Sequence, residues 1–296
     1  MCVLEKIEGS CFQGVFAEEA KGRAVAALEG GRVLFFPTLD FVVREDERVF
    51  LDPRCSDGRA KNVSYDPRTH KLRGSALHAL AQSSLKAMVA RYAQSAQALV
   101  AQLLPGYRPS LRAGRTSYRP VEVTARSVSY RKDDSRLHVD AFPSRPTRGE
   151  RILRLFTNVN PHAQSRLWRI GEPFEVCALR FLPRLSKPLP GKSQLLRATG
   201  LTRGYRSAYD HYMLGLHDAM KRDVGYQRQC PQYEVAFPAG TSWMVFTDQV
   251  SHAATAGQYL FEQTFYLRAD DLRDPSSAPS SVLERLLGRP LIPRAA

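Results

Sequence analysis

The chain has 296 residues, of which 43% are hydrophobic and 24% charged, and its formal net charge at pH 7 is +14. This composition is typical of a globular protein and excludes a fibrous or largely disordered chain. No apolar run approaches the roughly 18 residues that a membrane-spanning helix needs. The first residues also lack the apolar stretch of a signal peptide, so we expect a cytosolic protein. The five cysteines include no CxxC pair, which argues against a disulfide framework or a cysteine zinc site.

The positive charge predicts an anionic partner. Lys and Arg number 43 against 29 Asp and Glu, an excess that suits nucleic acid, an anionic lipid or a small acidic substrate. The sequence contains no helix-turn-helix, zinc-finger or RNA-binding aromatic motif. We therefore expect no nucleic-acid partner. The oligomeric state is left open by the sequence.

The first 118 residues are predicted to form an α/β support region. Helical spacing of apolar residues covers 17–29 and 77–103, and the Val-, Leu- and Phe-rich segment 32–41 between them predicts a buried strand.

From residue 119 to 272 the sequence favours a jelly-roll core. Six segments with alternating or strand-forming composition lie close together, at 121–130, 152–160, 174–183, 233–238, 241–248 and 258–267. A helical insertion is predicted at 188–228. The fold class expected is mainly β with flanking helices.

The last residues, 273–296, are predicted to be a linker followed by an amphipathic segment. Residues 274–281 are rich in Ser and Pro, and leucines then recur between Val282 and Ile292. Two interpretations stay open: either this segment lies on a membrane surface, or it forms a short helix that closes the core of the domain.

One pair of side chains and a distant histidine predict a metal site. His138 and Asp140 form an HxD element, and in an extended strand both point to the same face. His252 follows the predicted strand 241–248 and a short turn. In a jelly roll the segment with the HxD element and the segment with His252 lie side by side, so two histidines and one carboxylate can bind one side of a metal. This facial triad leaves positions open and suits Fe(II).

The order of these elements resembles the Fe(II)- and 2-oxoglutarate-dependent oxygenases of double-stranded β-helix (jelly-roll, cupin-like) fold. The resemblance implies Fe(II), 2-oxoglutarate and O2, and a cation that binds the distal carboxylate of 2-oxoglutarate. In much of the family this cation is an Arg on the strand after the distal His, but here the faces of 258–267 carry none. Strand parity places Arg154 on the inward face of 152–160, and Arg268 is the alternative. Further candidates for contact with 2-oxoglutarate are Tyr130, Asn158 and Gln263.

A narrower resemblance covers nearly the whole chain. Residues 57–67, 127–161, 168–175 and 209–221 are similar to the Kdo hydroxylase family. The resemblance implies hydroxylation at C3 of 3-deoxy-D-manno-oct-2-ulosonic acid (Kdo) in the lipopolysaccharide inner core, which gives Ko. The substrate expected is Kdo on lipid A, at the cytoplasmic face of the inner membrane. Candidate residues for binding the acidic sugar are Lys61, Asn62, Arg145 and Arg148.

Two other functions are compatible with the sequence. One is an oxygenase of the same chemistry acting on a protein side chain or a nucleic-acid base. The other is a metal-free, cupin-like module that binds a sugar acid without catalysis.

Overall fold

Two β-sheets pack against each other at the centre of the molecule. A computed structural model describes residues 3–124, 129–189 and 191–293. The strands are β1 Leu4–Lys6, β2 Val33–Phe36, β3 Val63–Asp66, β4 Lys71–Arg73, β5 Arg112–Arg119, β6 Arg151–Asn158, β7 Arg166–Ile170, β8 Tyr233–Phe237, β9 Thr241–Phe246, β10 His252–Ala256 and β11 Leu260–Leu267. The helices are α1 Glu18–Glu29, α2 Ala79–Leu103, α3 Phe174–Phe181, α4 Lys192–Ala198, α5 Ala208–Arg222, α6 Val224–Gln229 and α7 Pro279–Leu287.

The strand order confirms the predicted double-stranded β-helix. Over the described residues, the larger sheet runs β1-β2-β9-β6-β11-β5-β3-β4 and the smaller one β10-β7-β8. Strands β5, β11, β6 and β9 of the larger sheet form one wall of the jelly roll. The smaller sheet forms the other wall, and the segment around His138 extends it through a bridge to β10. Strands β1 to β5, which lie within the first 119 residues, thus share a sheet with strands of the predicted core.

Strand β6 separates two cores because all eight of its residues are buried. Leu153 and Leu155 face the core beneath α2, whose Met88 and Tyr92 pack there. Phe156 faces the other way, into the space between the sheets. A strand covered on both faces has no solvent side, so alternation alone decides which residues face the interior of the jelly roll.

An aromatic layer fills one end of the space between the sheets. The ring of Trp243 stacks on Phe237 with centroids 4.0 Å apart, and on Phe156 at 5.3 Å. Trp168 packs edge-on against Trp243 and stacks on His252, at 5.1 Å. The layer therefore forms a rigid apolar support that ends at the distal histidine.

Two predicted strands have a different structure. Residues 174–183 contain α3, because Phe174, Cys177, Ala178 and Phe181 are buried at helical spacing. At 121–130 no strand forms over the described residues, while 125–128 lie outside the description. A strand forms just before this segment instead. It is β5, which was not predicted because its polar sequence RAGRTSYR lacks the apolar alternation expected of a strand.

The C-terminal segment closes a core. Val282, Leu283 and Leu291 are buried in a cluster with Phe174 and Met213. Residues 274–281 form a short 3-10 helix and the start of α7 rather than an extended linker. Leu286, Leu287 and Ile292 are partly buried against the same cluster, so the apolar face that suggested membrane contact is directed into the protein. None of the helices in the described ranges is long and apolar enough to cross a membrane.

Truncating a leucine of α7 should destabilise the whole protein. Leu283 is fully buried, so Leu283→Ala leaves a cavity and should lower the free energy of unfolding by about 2–5 kcal/mol. The measurement is urea denaturation followed by circular dichroism. Leu80→Ala is the control, because Leu80 is 76% exposed and its truncation should change stability by less than about 0.5 kcal/mol. Equal stability of the two variants would contradict the burial of α7.

Candidate active site

Three side chains from two distant parts of the chain converge on one point. The ligand atoms of His138, Asp140 and His252 lie within 4.8 Å of one another, and all three residues are buried. Within the described ranges, no other group of three His, Cys, Asp or Glu side chains meets this criterion. The cluster has the composition and proximity of the facial triad that the HxD element and the distal histidine predict, so it is the candidate metal site.

The backbone brings these residues together through reciprocal hydrogen bonds. His138 N donates to His252 O at 3.1 Å, and His252 N donates to His138 O at 2.9 Å. Asp140 N donates to Thr247 O at 2.8 Å. Residues paired in this way across two antiparallel segments project their side chains to the same face. The imidazole centroids accordingly lie 4.7 Å apart.

Both histidines are oriented for metal binding. Nδ1 of His138 lies 2.7 Å from Arg136 O, and Nδ1 of His252 lies 2.8 Å from Val250 O. A carbonyl oxygen only accepts, so each Nδ1 carries the proton and each Nε2 keeps its lone pair. Burial lowers the pKa of both imidazoles, which keeps them neutral. This donor set fits an Fe(II) ion.

A chain of buried ion pairs leads away from Asp140. Its Oδ2 lies 3.1 Å from Nη2 of Arg154, whose Nη1 lies 3.0 Å from Oε1 of Glu262. Glu262 also pairs with Arg119. Although burial raises the pKa of Asp140, the charge of Arg154 outweighs it and holds that pKa well below its usual range. Asp140 is thus an ionised candidate ligand.

The triad lies on the wall of a cavity of about 810 Å³. The cavity is strongly cationic. Its basic lining residues are Lys61, Arg115, Arg119, Arg131, Lys132, Arg145, Arg154, Arg166 and Lys221, and its acidic ones are Asp134, Asp140, Asp218 and Glu262. With nine cations against four carboxylates, one of which is a candidate metal ligand, the cavity suits an anionic ligand.

Four of the predicted binding residues lie on this cavity. Arg154 faces it from β6, as strand parity predicts, and Lys61, Asn62 and Arg145 lie on its wall. Lys61 already has a protein partner, because its Nζ lies 2.6 Å from Oδ1 of Asp134. Arg145 forms no ion pair with any described residue.

The other predicted binding residues do not line the cavity; they are Tyr130, Arg148, Asn158, Gln263 and Arg268. Gln263 lies on the opposite face of β11, where it accepts a hydrogen bond from Thr116 at 2.5 Å. Asn158 is buried and donates to the backbone oxygens of Gln164 and Phe237. The side chain of Arg268 is 65% exposed and pairs with Asp270.

Several lining residues were not predicted. Arg166 and Trp168 face the cavity from β7. With Ile170 they occupy every second position of RLWRI, so the sequence shows that they share one face of the strand but not that this face meets the cavity. His217 of α5 packs edge-on against His138, with centroids 5.3 Å apart, and its Nδ1 lies 2.9 Å from Asp218. No sequence spacing reveals that contact, because it depends on how α5 crosses the sheet.

A double-stranded β-helix that carries two histidines and an aspartate on its inner wall defines the class of non-heme Fe(II), 2-oxoglutarate-dependent oxygenases. A family model described as 3-deoxy-D-manno-oct-2-ulosonic acid (Kdo) hydroxylase matches residues 12–290. The chain belongs to this Kdo hydroxylase family.

Solved structures of the Kdo hydroxylase KdoO are similar over nearly the full length. The complex with alphaketoglutarate and Fe(III) is 47% identical with a TM-score of 0.94, covering 98% of this chain and 97% of that one. The cobalt(II) complex is 48% identical with a TM-score of 0.96, covering 99% of both chains. The apo structure is 48% identical with a TM-score of 0.95, covering 98% and 97%. A comparison with curated proteins gives no match.

Removing any ligand should abolish metal binding. The alanine variants of His138, Asp140 and His252 each lose one donor of three, so Fe(II) added anaerobically should no longer bind at about one ion per chain. The measurement is bound iron after desalting, with circular dichroism as the check on folding. His78→Ala, which changes an exposed histidine, should bind iron as the unchanged protein does. Full iron binding and turnover in any ligand variant would contradict the assignment.

Proposed function

We propose that this protein hydroxylates Kdo at C3 in the inner core of lipopolysaccharide, with Fe(II), 2-oxoglutarate and O2, and forms Ko. The observation that carries this proposal is the triad of His138, Asp140 and His252 on the wall of a cationic cavity. Kdo is a sugar acid, so its carboxylate is complementary to that lining. Membership of the Kdo hydroxylase family supports the choice of substrate.

The protein's contribution to the reaction is to position its reactants. When bound, iron supplies the chemistry that couples 2-oxoglutarate and O2 to hydroxylation. His138, Asp140 and His252 would hold the ion, and three protein donors would leave room for 2-oxoglutarate and O2. Trp168, stacked on His252, excludes water from that ring and fixes its orientation.

The distal carboxylate of 2-oxoglutarate is assigned to Arg154. This side chain is buried on the inner face of β6, and its Nε makes no hydrogen bond although it is buried. An unused buried donor gains most from a carboxylate ligand. Arg166 is the alternative, because it lies on the same cavity and is 2% exposed.

The sugar acid is assigned to the mouth of the cavity. Lys61, Asn62 and Arg145 line it and are the candidates for contact with Kdo. Arg148 is exposed, does not line the cavity and donates its backbone N–H to Asp210, so it is a candidate only for a part of the substrate that lies outside the cavity. Because the Kdo acted upon is attached to lipid A, the protein works as a peripheral protein at the cytoplasmic face of the inner membrane.

Succinate formation tests the reaction and the substrate together. Fe(II)-loaded protein with 2-oxoglutarate should form succinate much faster when Kdo-lipid A is added, and the lipid should gain one oxygen atom by mass spectrometry. Lipid A without Kdo is the control and should give only the basal rate. Equal rates with both lipids, and no change of mass, would contradict the proposed substrate.

The cation for 2-oxoglutarate is tested by three substitutions. Arg154→Ala should raise the KM for 2-oxoglutarate by roughly 30- to 1000-fold, because a charge-assisted contact is lost. Arg268→Ala is the control and should leave that KM unchanged, since Arg268 lies outside the cavity. If only Arg166→Ala raises the KM, the distal carboxylate binds on β7 and the assignment to Arg154 is wrong.

A further inference from the structure

One exposed segment carries several uncovered apolar side chains. We call residues 187–189 and 191–206, between α3 and α5, the insertion surface. Leu189, Leu195 and Leu201 are 68%, 64% and 65% exposed, and Tyr205 is 37% exposed. Large apolar side chains grouped at this exposure within a short segment mark an interaction site rather than ordinary surface.

The same part of the chain is purely basic. Residues 176–209 contain no Asp or Glu, and their basic residues are Arg180, Arg184, Lys187, Lys192, Arg197, Arg203 and Arg206. Arg180 and Arg184 pair with carboxylates outside this stretch. Lys187, Arg197 and Arg203 are exposed and form no ion pair with any described residue. Their charge is therefore available to an anionic partner.

Hydrogen bonds hold the insertion surface in a folded-back shape. Ser193 Oγ donates to Arg206 O at 2.6 Å, and Thr202 N donates to Leu196 O at 3.2 Å. The second of these bonds brings the neighbourhoods of Leu195 and Leu201 together. Leu195 and Leu201 thus lie in neighbouring turns of one folded segment rather than at isolated positions.

The insertion surface is attached to the rim of the cavity. Arg203 N donates to Ser144 O at 3.0 Å, and Arg206 Nη2 donates to Pro143 O at 2.5 Å. Pro143, Ser144 and Arg145 line the cavity that holds the triad. Whatever binds the insertion surface is therefore adjacent to the mouth of the active site.

We propose that the insertion surface docks on an anionic lipid bilayer and places the mouth of the cavity against it. The exposed leucines enter the interfacial layer while Lys187, Arg197 and Arg203 contact the headgroups. A second copy of the chain does not fit, because a symmetric contact would oppose two sets of unpaired cations. The inference deepens the proposed function, on which its benefit to catalysis rests, and gives the membrane contact to this segment instead of α7.

Vesicle co-sedimentation tests the inference without using substrate. The unchanged protein should bind phosphatidylglycerol vesicles, bind phosphatidylcholine vesicles much more weakly, and lose binding as salt rises. Leu195→Ser/Leu201→Ser and Lys187→Glu/Arg197→Glu should each lower the affinity for phosphatidylglycerol vesicles at least about tenfold.

Two matched controls separate this patch from general properties of the protein. Val15→Ser/Leu80→Ser removes two apolar side chains of equal or greater exposure elsewhere. Arg23→Glu/Arg48→Glu produces the same change of net charge at other exposed positions. Both controls should keep vesicle binding within about twofold of the unchanged protein.

The outcomes distinguish this inference from the proposed function. Absence of vesicle binding by the unchanged protein would overturn the inference, as would equal loss in test and control variants. A change from dimer to monomer in the leucine variant, without vesicle binding, would assign the patch to self-association and also overturn it. Hydroxylation of a water-soluble Kdo glycoside is measured in parallel. If the unchanged protein does not hydroxylate this glycoside, the proposed function is contradicted, while the result of the vesicle-binding experiment still stands.

Discussion

The pair of backbone hydrogen bonds between His138 and His252 is the constraint on which the site depends. It joins a segment without regular strand structure to β10, and so brings together candidate ligands that are far apart in the sequence. The adjacent bond from Asp140 N to Thr247 O fixes the carboxylate on the same wall. Because the backbone fixes where the three residues lie, only the rotation of each imidazole ring or carboxylate remains to be fixed before the site can bind a metal.

The second constraint is electrostatic. Asp140, Arg154, Glu262 and Arg119 alternate in sign along a buried path. Removing one member leaves its neighbours as buried charges without compensation, which is strongly unfavourable. Glu262 lies on the strand where many relatives of this fold carry a cation. Here the cations stand on the neighbouring strands β6 and β5, and Glu262 holds both of them against the wall of the cavity.

The sequence predicted most of what depends on local alternation. The face of β6 that carries Arg154 and the convergence of His138 with Asp140 both follow from period-two geometry. The long helix α2 followed from its apolar spacing. Sequence reasoning failed at α3, where a short apolar run fits a strand or a helix equally well until its packing partners are known. It also missed β5, because a strand that lines a polar cavity loses the alternation by which strands are recognised.

Contacts between distant elements could not be predicted in the same way. Arg166 and His217 reach the cavity because β7 and α5 cross near the triad, and nothing in their local sequence specifies those crossings. The C-terminal leucines show the converse problem. Their amphipathic pattern is equally suitable for a membrane surface or for a protein core, and only the burial of Leu283 distinguishes the two. The exposed leucines of the insertion surface are irregularly spaced in the sequence, so no amphipathic pattern predicts them.

The most direct test of this account is the origin of the oxygen in the product. The Fe(II)-loaded protein is supplied with 2-oxoglutarate, Kdo-lipid A and 18O2, and the Kdo is released and analysed by tandem mass spectrometry. We expect the sugar to carry one labelled oxygen at C3 and succinate to form in the same reaction. The His252→Ala variant should give no labelled product. Succinate formation with an unlabelled sugar, or a label on the lipid A portion alone, would contradict it.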